Sequence, residues 1–382
     1  MSNCSVVTMA SMPKANAPAE PWIALVGRRD MPTDGVADYC AHLCQALETH
    51  GIELQLTRVE WRDGSWLRAL RTLFRESRNW RDHWVILQYT AFAWSRRGFP
   101  IGALVSFAIL RYHGAKCAVV FHEPWGTTGP RLIDRIRCAF QNWTVRALHR
   151  FSRKGIFTVP LNTVPWLPHH PKHSAFIPLG PNIPEDLTSR SAAPDRNGAL
   201  KTVAIFCVSD PPHQQREIRD ISHALRAASG AGIQLRVIFV GRGTAEASGE
   251  IDRAFQRTQI EVCNRGLCEA AEVTRIFCES DVMLAVRGRL YLRRGSALAG
   301  LACGLPIIGY AGAAQGTVIE QAGVALVPFG DQEALGAALC DVLLNSALWR
   351  EMHEKNLRIQ RDVFSWKVIA ASYAEFLSGT RA

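Results

Sequence analysis

Four arginines fall within eight positions, Arg287, Arg289, Arg293 and Arg294, and Gly295 and Ser296 follow them directly. Before them lies a short apolar run, Val282–Val286, and after them the small-residue stretch Ala297-Leu298-Ala299-Gly300-Leu301-Ala302-Cys303-Gly304. The run reads as a buried strand and the stretch as a helix. Ser296 is placed to cap that helix. A helix start offers free backbone N–H groups and a partial positive charge. Gly295 lets the backbone come close to an oxyanion. Arginines, a free helix start and a glycine together make a diphosphate cradle. The plain alternative is a solvated arginine loop ahead of a capped core helix. The position between a buried strand and a small-residue helix favours the cradle.

Other residues could do chemistry nearby. Phe121-His122-Glu123 closes a second buried strand. A histidine there can orient or deprotonate a hydroxyl, since its ordinary pKa is near neutrality. A satisfied structural histidine is the competing reading, and Glu123 could serve instead. Gly241-Arg242-Gly243 follows a third buried strand. It lacks the third glycine of a dinucleotide motif, so ligand contact and simple strand-end turn both stay open. Arg216 follows the loop Ser209–Gln215 and is either an anion contact or an exposed residue in a helix's first turn. Asp38 either faces a cleft or complements a helix dipole, and the dipole reading is preferred. His169, His170 and His173 lie among prolines in a loop and supply no convergent ligand set, so no metal is expected. Cys263 and Cys268 lack the second pair that a zinc site needs.

The elements that must position these residues can be read along the chain. A length of 382 residues suits two domains of roughly 150–200 residues each. Trp22–Val26 is a strand, a loop follows, and Val36–Leu47 carries apolar residues at helical spacing up to Gly51. Strand and helix then alternate up to about residue 180. Residues 181–200 are rich in Pro, Ser, Thr and charge and read as a linker. From Thr202 the alternation restarts. The expected order is a disordered leader (1–20), a first Rossmann-like domain (21–180), the linker (181–200), a second Rossmann-like domain (201–365) and a last helix (366–382) able to cross back to the first domain. The fold class is therefore α/β, with two Rossmann-like domains facing across a cleft.

At this point a family resemblance becomes visible. Arg294-Gly295-Ser296 with Leu301-Ala302-Cys303-Gly304-Leu305-Pro306-Ile307-Ile308 resembles the donor-binding segment of glycosyltransferase family 4. Asp34-Gly35-Val36-Ala37-Asp38-Tyr39 resembles that family's first loop, where a glycine turn meets the donor phosphate. The resemblance spans about residues 21–378, with the motifs in order. It implies a GT-B fold, transfer from a nucleotide sugar with retention, and no metal or cofactor. It puts Gly35, Arg216, Gly241, Arg242, Gly295 and Ser296 on the donor. Arg293 and Arg294 meet the leaving diphosphate, His122 is catalytic, and Glu123 and Asp38 lie on the acceptor side. Many members carry two glutamates eight apart in this segment, but Tyr291 and Ala299 stand here. That departure leaves the sugar and the ribose contact open. It also leaves room for a descendant without turnover, or for a nucleotide-sugar epimerase on the same architecture.

Composition narrows the partners. At 48% hydrophobic and 20% charged residues the chain is an ordinary globular one. Residues 1–200 hold 24 Lys+Arg against 15 Asp+Glu, a net of +9, so nearly all of the +10 total sits in the first half. An anionic partner of that half, or a solvated basic face, explains the bias. The first half also carries Trp61, Trp66, Trp80, Trp84 and Trp94, which suits an anionic membrane surface and a glycan or lipid-linked acceptor. No nucleic-acid motif is present, so nucleic acid is not expected. Eleven cysteines without a Cys-x-x-Cys pair point to a reduced, cytoplasmic setting, peripheral to the inner membrane face if the membrane reading holds. Phe99–Leu110 is too short to span a bilayer and reads as a buried or an interfacial helix.

Overall fold

The computed structural model describes residues 20–28, 34–62, 64–168, 171, 173–184, 199–291, 295–312, 318 and 321–379. The first half contains β1 (Trp22–Val26), α1 (Gly35–Glu48), β2 (Leu54–Arg58), α2 (Trp66–Glu76), β3 (Trp84–Tyr89), α3 (Ile101–Tyr112), β4 (Lys116–Phe121), α4 (Leu132–Phe151), β5 (Lys154–Phe157) and β6 (Ser174–Phe176). The second half contains β7 (Leu200–Phe206), α5 (His213–Gly230), β8 (Gln234–Val240), α6 (Ser248–Phe255), β9 (Glu261–Gly266), α7 (Ala270–Glu279) and β10 (Val282–Arg289). It continues with α8 (Gly295–Ala302), β11 (Ile307–Tyr310), β12 (Val324–Val327), α9 (Gln332–Leu344), α10 (Ser346–Ile359) and α11 (Trp366–Ser378).

Two parallel six-stranded sheets result among the described residues. The first has the order β2-β1-β3-β4-β5-β6 and the second β12-β11-β10-β7-β8-β9. Read from its other edge, the second is the 3-2-1-4-5-6 order of dinucleotide-binding domains, and the first is a flavodoxin-like variant. The two-domain α/β architecture expected from the sequence is what the chain forms.

The near-continuous apolar strands follow from burial on both faces. In β1, Ile23 and Leu25 enter one core while Trp22, Ala24 and Val26 enter the other. In β4, Cys117, Val119 and Phe121 alternate with Ala118 and Val120 in the same way. The amphipathic segment around residues 99–110 becomes α3, with Ala103, Phe107 and Leu110 buried and Ile101, Val105 and Tyr112 exposed. The sequence pattern did not mark α6, because Gly249 and a short apolar period conceal it.

The last helix crosses to the first half. Trp366, Ile369, Ala370 and Tyr373 of α11 share a core with Tyr39, Cys40 and Leu43 of α1. The Tyr39 and Tyr373 hydroxyls are 2.9 Å apart. Trp366 donates its indole N–H to Pro181 O at 3.0 Å, and its ring stacks on His42. Gly180 lies against this indole, where a Cβ would approach the ring to 2.5 Å. Both chain crossings between the halves are therefore fastened at one tryptophan. Trp366→Ala is expected to lower stability by about 3–5 kcal/mol, as for buried large-to-small changes. Urea denaturation measures it, and a loss under about 1 kcal/mol would contradict this docking.

Candidate functional site

In an open parallel sheet, loops diverge where the strand order reverses, and ligands sit at that crevice beyond the strand ends. In the second sheet the reversal lies between β7 and β10. A narrow gap of about 10 Å³ lies there between core residues, lined by Cys207, Glu217, Arg287, Leu290 and Ser296 among others.

Its walls follow from local chemistry. β10 runs on to Arg289 because Arg289 pairs with Tyr310 of β11 and Leu290 N–H donates to Tyr310 O at 2.7 Å. The register shifts between Ala285 and Arg289, and Gly288 has φ +71°. Glycine adopts that left-handed conformation without strain, so the strand end is bulged. Arg287 then lines the crevice, with Nε 3.4 Å from Ser209 Oγ. Arg289 instead lies over the Phe329 ring at 5.0 Å and donates to Ala311 O at 2.9 Å. Two of the four arginines expected in a loop thus belong to the strand. Arg293 and Arg294 lie outside the described residues.

α8 starts at Gly295, so Ser296 occupies the second helical position rather than the cap. Gly295 is exposed, with nothing within 4 Å of where a Cβ would stand. Ser296 lines the crevice beside Arg287. Burial pushes the nearby Cys207 thiol above its ordinary pKa, with the Arg287 charge opposing.

Arg216 has structural partners. It donates to Asp220 at 3.0 Å, Glu217 at 3.5 Å and Val286 O at 3.2 Å, and lies over Phe329 at 5.1 Å. Glu217 in turn accepts the Ser209 N–H at 2.9 Å. Arg216 therefore ties α5 to the end of β10, while Glu217 holds the loop after β7. Together they set the width of the crevice.

Gly241 and Gly243 brace the same loop. Cys207 N–H donates to Val240 O at 2.8 Å and Val208 N–H to Arg242 O at 2.9 Å. A Cβ on Gly241 would stand 2.8 Å from Cys207 Sγ, and one on Gly243 would strike Val208 O. Both glycines have positive φ, +98° and +82°. The turn needs glycine for this close approach whether or not it touches a ligand. Arg242 is exposed beside it.

In the first sheet the order reverses between β1 and β3. Asp34 caps α1 by accepting the Ala37 N–H at 3.0 Å. Arg58 donates to Asp34 at 2.8 Å and to Arg28 O at 3.3 Å, pinning the chain on both sides of residues 29–33. Gly35 opens α1, and its carbonyl accepts from Asn182 at 3.4 Å. Asp38 is exposed in the first turn, and partial burial and the Asp34 charge raise its carboxyl pKa. At the end of β4, His122 Nε2 donates to Gln88 Oε1 at 2.8 Å, which leaves Nδ1 with a lone pair. Burial lowers the His122 pKa to about 4, so the ring is neutral near pH 7. Glu123 follows it, half-buried.

No family model matches the chain, and no curated protein does either. Solved structures do match. Anabaena HepE in complex with UDP and glucose superposes with a TM-score of 0.65 at 13% identity, covering 94% of this chain and all of that one. The chain has the GT-B fold. Sucrose-phosphate synthase from Thermosynechococcus elongatus gives a TM-score of 0.63 at 17% identity, over 94% of this chain and 100% of that one. A Listeria monocytogenes protein assigned as a UDP-N-acetylglucosamine 2-epimerase gives 0.62 at 10% identity, over 94% and 98%. GT-B folds thus carry more than one chemistry, and residues must decide between them.

The structure gathers Arg287 and Ser296 at one crevice, and Arg216, Gly241 and Gly243 build its walls. His122 and Glu123 stand in the first domain with Asp38 and Gly35. Arg287 was read only as one of four loop arginines, and Glu217 and Gln88 were not singled out from the sequence. A signal existed for two of the three. Arg287 is the first residue past the apolar run of β10, and Gln88 is a polar residue inside the buried run of β3.

Removing Arg216 takes the cation from two carboxylates that are each about 2% exposed and leaves them the Ser209 N–H and Gln332 as partners. Arg216→Ala is therefore expected to cost about 3–5 kcal/mol of stability. Arg287→Ala, which loses the bond to Ser209, should cost only about 1 kcal/mol. Thermal melts of the two variants check the contrast. The His122 pKa is lower folded than its ordinary 6.5, so its contribution is complete above 6.5 and is lost as pH falls towards 4. That amounts to about 3 kcal/mol. Urea denaturation across pH should show a slope in this window that His122→Gln flattens.

Proposed function

We propose that the chain is a glycosyltransferase that moves a sugar from a nucleotide donor to a glycan or lipid-linked acceptor. The observation that carries the reading is the strand-order reversal at β7/β10, where Arg287 and the start of α8 converge. Bound UDP and glucose in HepE, on the same fold, support a nucleotide sugar as the occupant.

The donor diphosphate lies at the α8 start, where backbone N–H groups and the helix dipole favour anions. Arg287, with Arg293 and Arg294 from the adjoining segment, neutralises the charge that grows on the leaving phosphate. The acceptor hydroxyl comes from the first domain. His122 is neutral and its Nδ1 accepts a hydrogen bond, so it orients the hydroxyl. A group with so low a pKa is a poor base near pH 7. The proton therefore passes to the departing phosphate oxygen as the anomeric carbon exchanges one oxygen for the other. Attack on the face that the leaving group vacates gives retention. Cationic side chains replace a bound metal in this scheme, and activity is expected to persist in EDTA.

The acceptor reading belongs to polysaccharide or glycoconjugate synthesis at the inner face of a membrane. No described helix is long and apolar enough to cross one. The outer face of α4 exposes Leu132, Ile136 and Trp143 among Arg135, Arg146 and Arg150, which suits an anionic lipid surface. The second reading is a nucleotide-sugar epimerase, which the Listeria neighbour keeps in view.

A thermal-shift panel of UDP, GDP, ADP and CMP sugars tests the donor. One nucleotide class should raise the melting temperature through linkage, and Arg294→Ala and Arg287→Ala should each cut that affinity about tenfold or more. No shift with any of them would remove the reading. Product analysis then separates a transferred sugar from an epimerised one.

A further inference from the structure

Beyond the β2 and β3 ends of the first sheet lies a second cavity, a groove of about 700 Å³. Trp61, Trp66 and Trp94 form much of its wall, Ile101 and Val105 of α3 line it too, and Arg96 and Arg97 stand at its edge. The site is built rather than incidental. Trp61 and Trp66 stack with centroids 4.9 Å apart and planes 8° off parallel. Gly102 has no side chain where the Trp66 ring lies, and any Cβ there would collide with it. Trp61 donates its N–H to Ala93 O at 3.0 Å and Trp94 to Gln88 O at 2.9 Å. The polar edges of these two indoles are thus satisfied within the protein.

Charge surrounds this apolar wall. Residues 60–112 contain nine arginines against Glu60, Asp63, Glu76 and Asp82. Arg96 donates to Arg62 O at 2.7 Å, which holds its guanidinium at the rim. Among the described residues no carboxylate pairs with Arg96 or Arg97. A second groove of about 780 Å³ shares Ser65 and Leu70 with the first and continues along α2 past Arg68, Arg71 and Arg75. The trough is therefore apolar, long and fringed by cations.

It is also linked to the candidate catalytic histidine. Gln88 accepts the Trp94 indole N–H with its carbonyl and the His122 N–H with its side chain. One residue thus fixes both the groove wall and His122.

The geometry points to a binding site for one anionic amphiphile. Its hydrocarbon chain lies against Trp61, Trp66 and Val105, and its phosphate meets Arg96 and Arg97. Resting on the transferase reading, the occupant is the acceptor, a lipid-linked phosphate whose sugar end reaches His122. Charge complementarity and the apolar trough select this class over a free glycan.

Binding can be measured without donor or turnover. Isothermal titration with monomeric decyl phosphate should show saturable binding to the full chain. Inorganic phosphate and decyl glucoside should each bind at least about tenfold more weakly, because each lacks half of the recognised chemistry. Arg96→Glu with Arg97→Glu, and separately Val105→Glu, should each weaken decyl phosphate about tenfold with the melting temperature unchanged. All three positions are exposed, so the fold does not depend on them. Equal affinity for inorganic phosphate, equal affinity for decyl glucoside, or insensitivity to both variants would overturn the proposal. So would flotation with anionic phospholipid vesicles when monomeric decyl phosphate does not bind, since that marks a membrane-surface patch. Nucleotide binding in parallel keeps the two readings apart. Its loss alone sinks the transferase reading, and loss of decyl phosphate binding alone sinks the groove.

Discussion

A parallel sheet with both faces buried leaves polar side chains almost nowhere to go except the strand ends. Everything chemical in this protein follows from that constraint. The strands of both sheets are apolar along nearly their whole buried length, and alternate residues feed two cores on opposite faces. Polar groups collect at the carboxyl ends: Arg58 at the end of β2, His122 after β4, Ser209 after β7, Arg287 near the end of β10. Where strand order reverses, these ends are pulled apart and a crevice is unavoidable. The second domain puts a cation and a helix start into that crevice, and the first puts a neutral histidine at the corresponding rim.

Holding such a crevice open costs stability elsewhere, and the structure shows where the support comes from. Arg216, Glu217 and Asp220 form a buried charge cluster that bridges α5, β10 and the loop after β7. Gly241 and Gly243 allow a neighbouring turn to press on the same loop. These residues touch the walls, and they matter by fixing the positions of those that face the opening. Trp366 does the same on a larger scale. It fills the space beside Gly180 and bonds Pro181, so the first crossing between the domains and the last helix meet at one buried ring.

The absence of the glutamate pair gains meaning from this arrangement. Tyr291 and Ala299 offer no carboxylate, and Ala299 is buried in the α8 core. Apart from Cys207 and from Glu217, whose carboxylate is held by Arg216 and the Ser209 N–H, the polar features at the crevice are suited to phosphate: a cation, a hydroxyl and a helix start. Phosphate recognition is therefore the part of the chemistry the residues support most directly, and sugar selection must come from groups other than that pair.

Much of this was legible in the sequence. Apolar runs bounded by glycine gave the strands, helical spacing gave most of the helices, and the restart at Thr202 gave the second domain, because burial on both faces writes itself into local pattern. His122 and the stretch ending in Ser296 stood out for the same reason, as polar residues at the end of apolar runs. What local pattern could not show was partnership. That Arg216 reaches Val286 O depends on α5 meeting β10, 70 positions further on, whereas its Asp220 partner lies only four positions along the same helix. That Gly288 bulges β10 depends on pairing with Tyr310. That Trp61, Trp66 and Trp94 enclose one groove depends on the loops after β2 and β3, which flank β1, meeting beside α3. The sequence by itself determined which residues are apolar, cationic or free to turn, and hence the elements and their order. Only the tertiary structure decided which cation faces the opening and which ties a helix to a distant strand, because that choice is made by contacts between segments far apart in the chain.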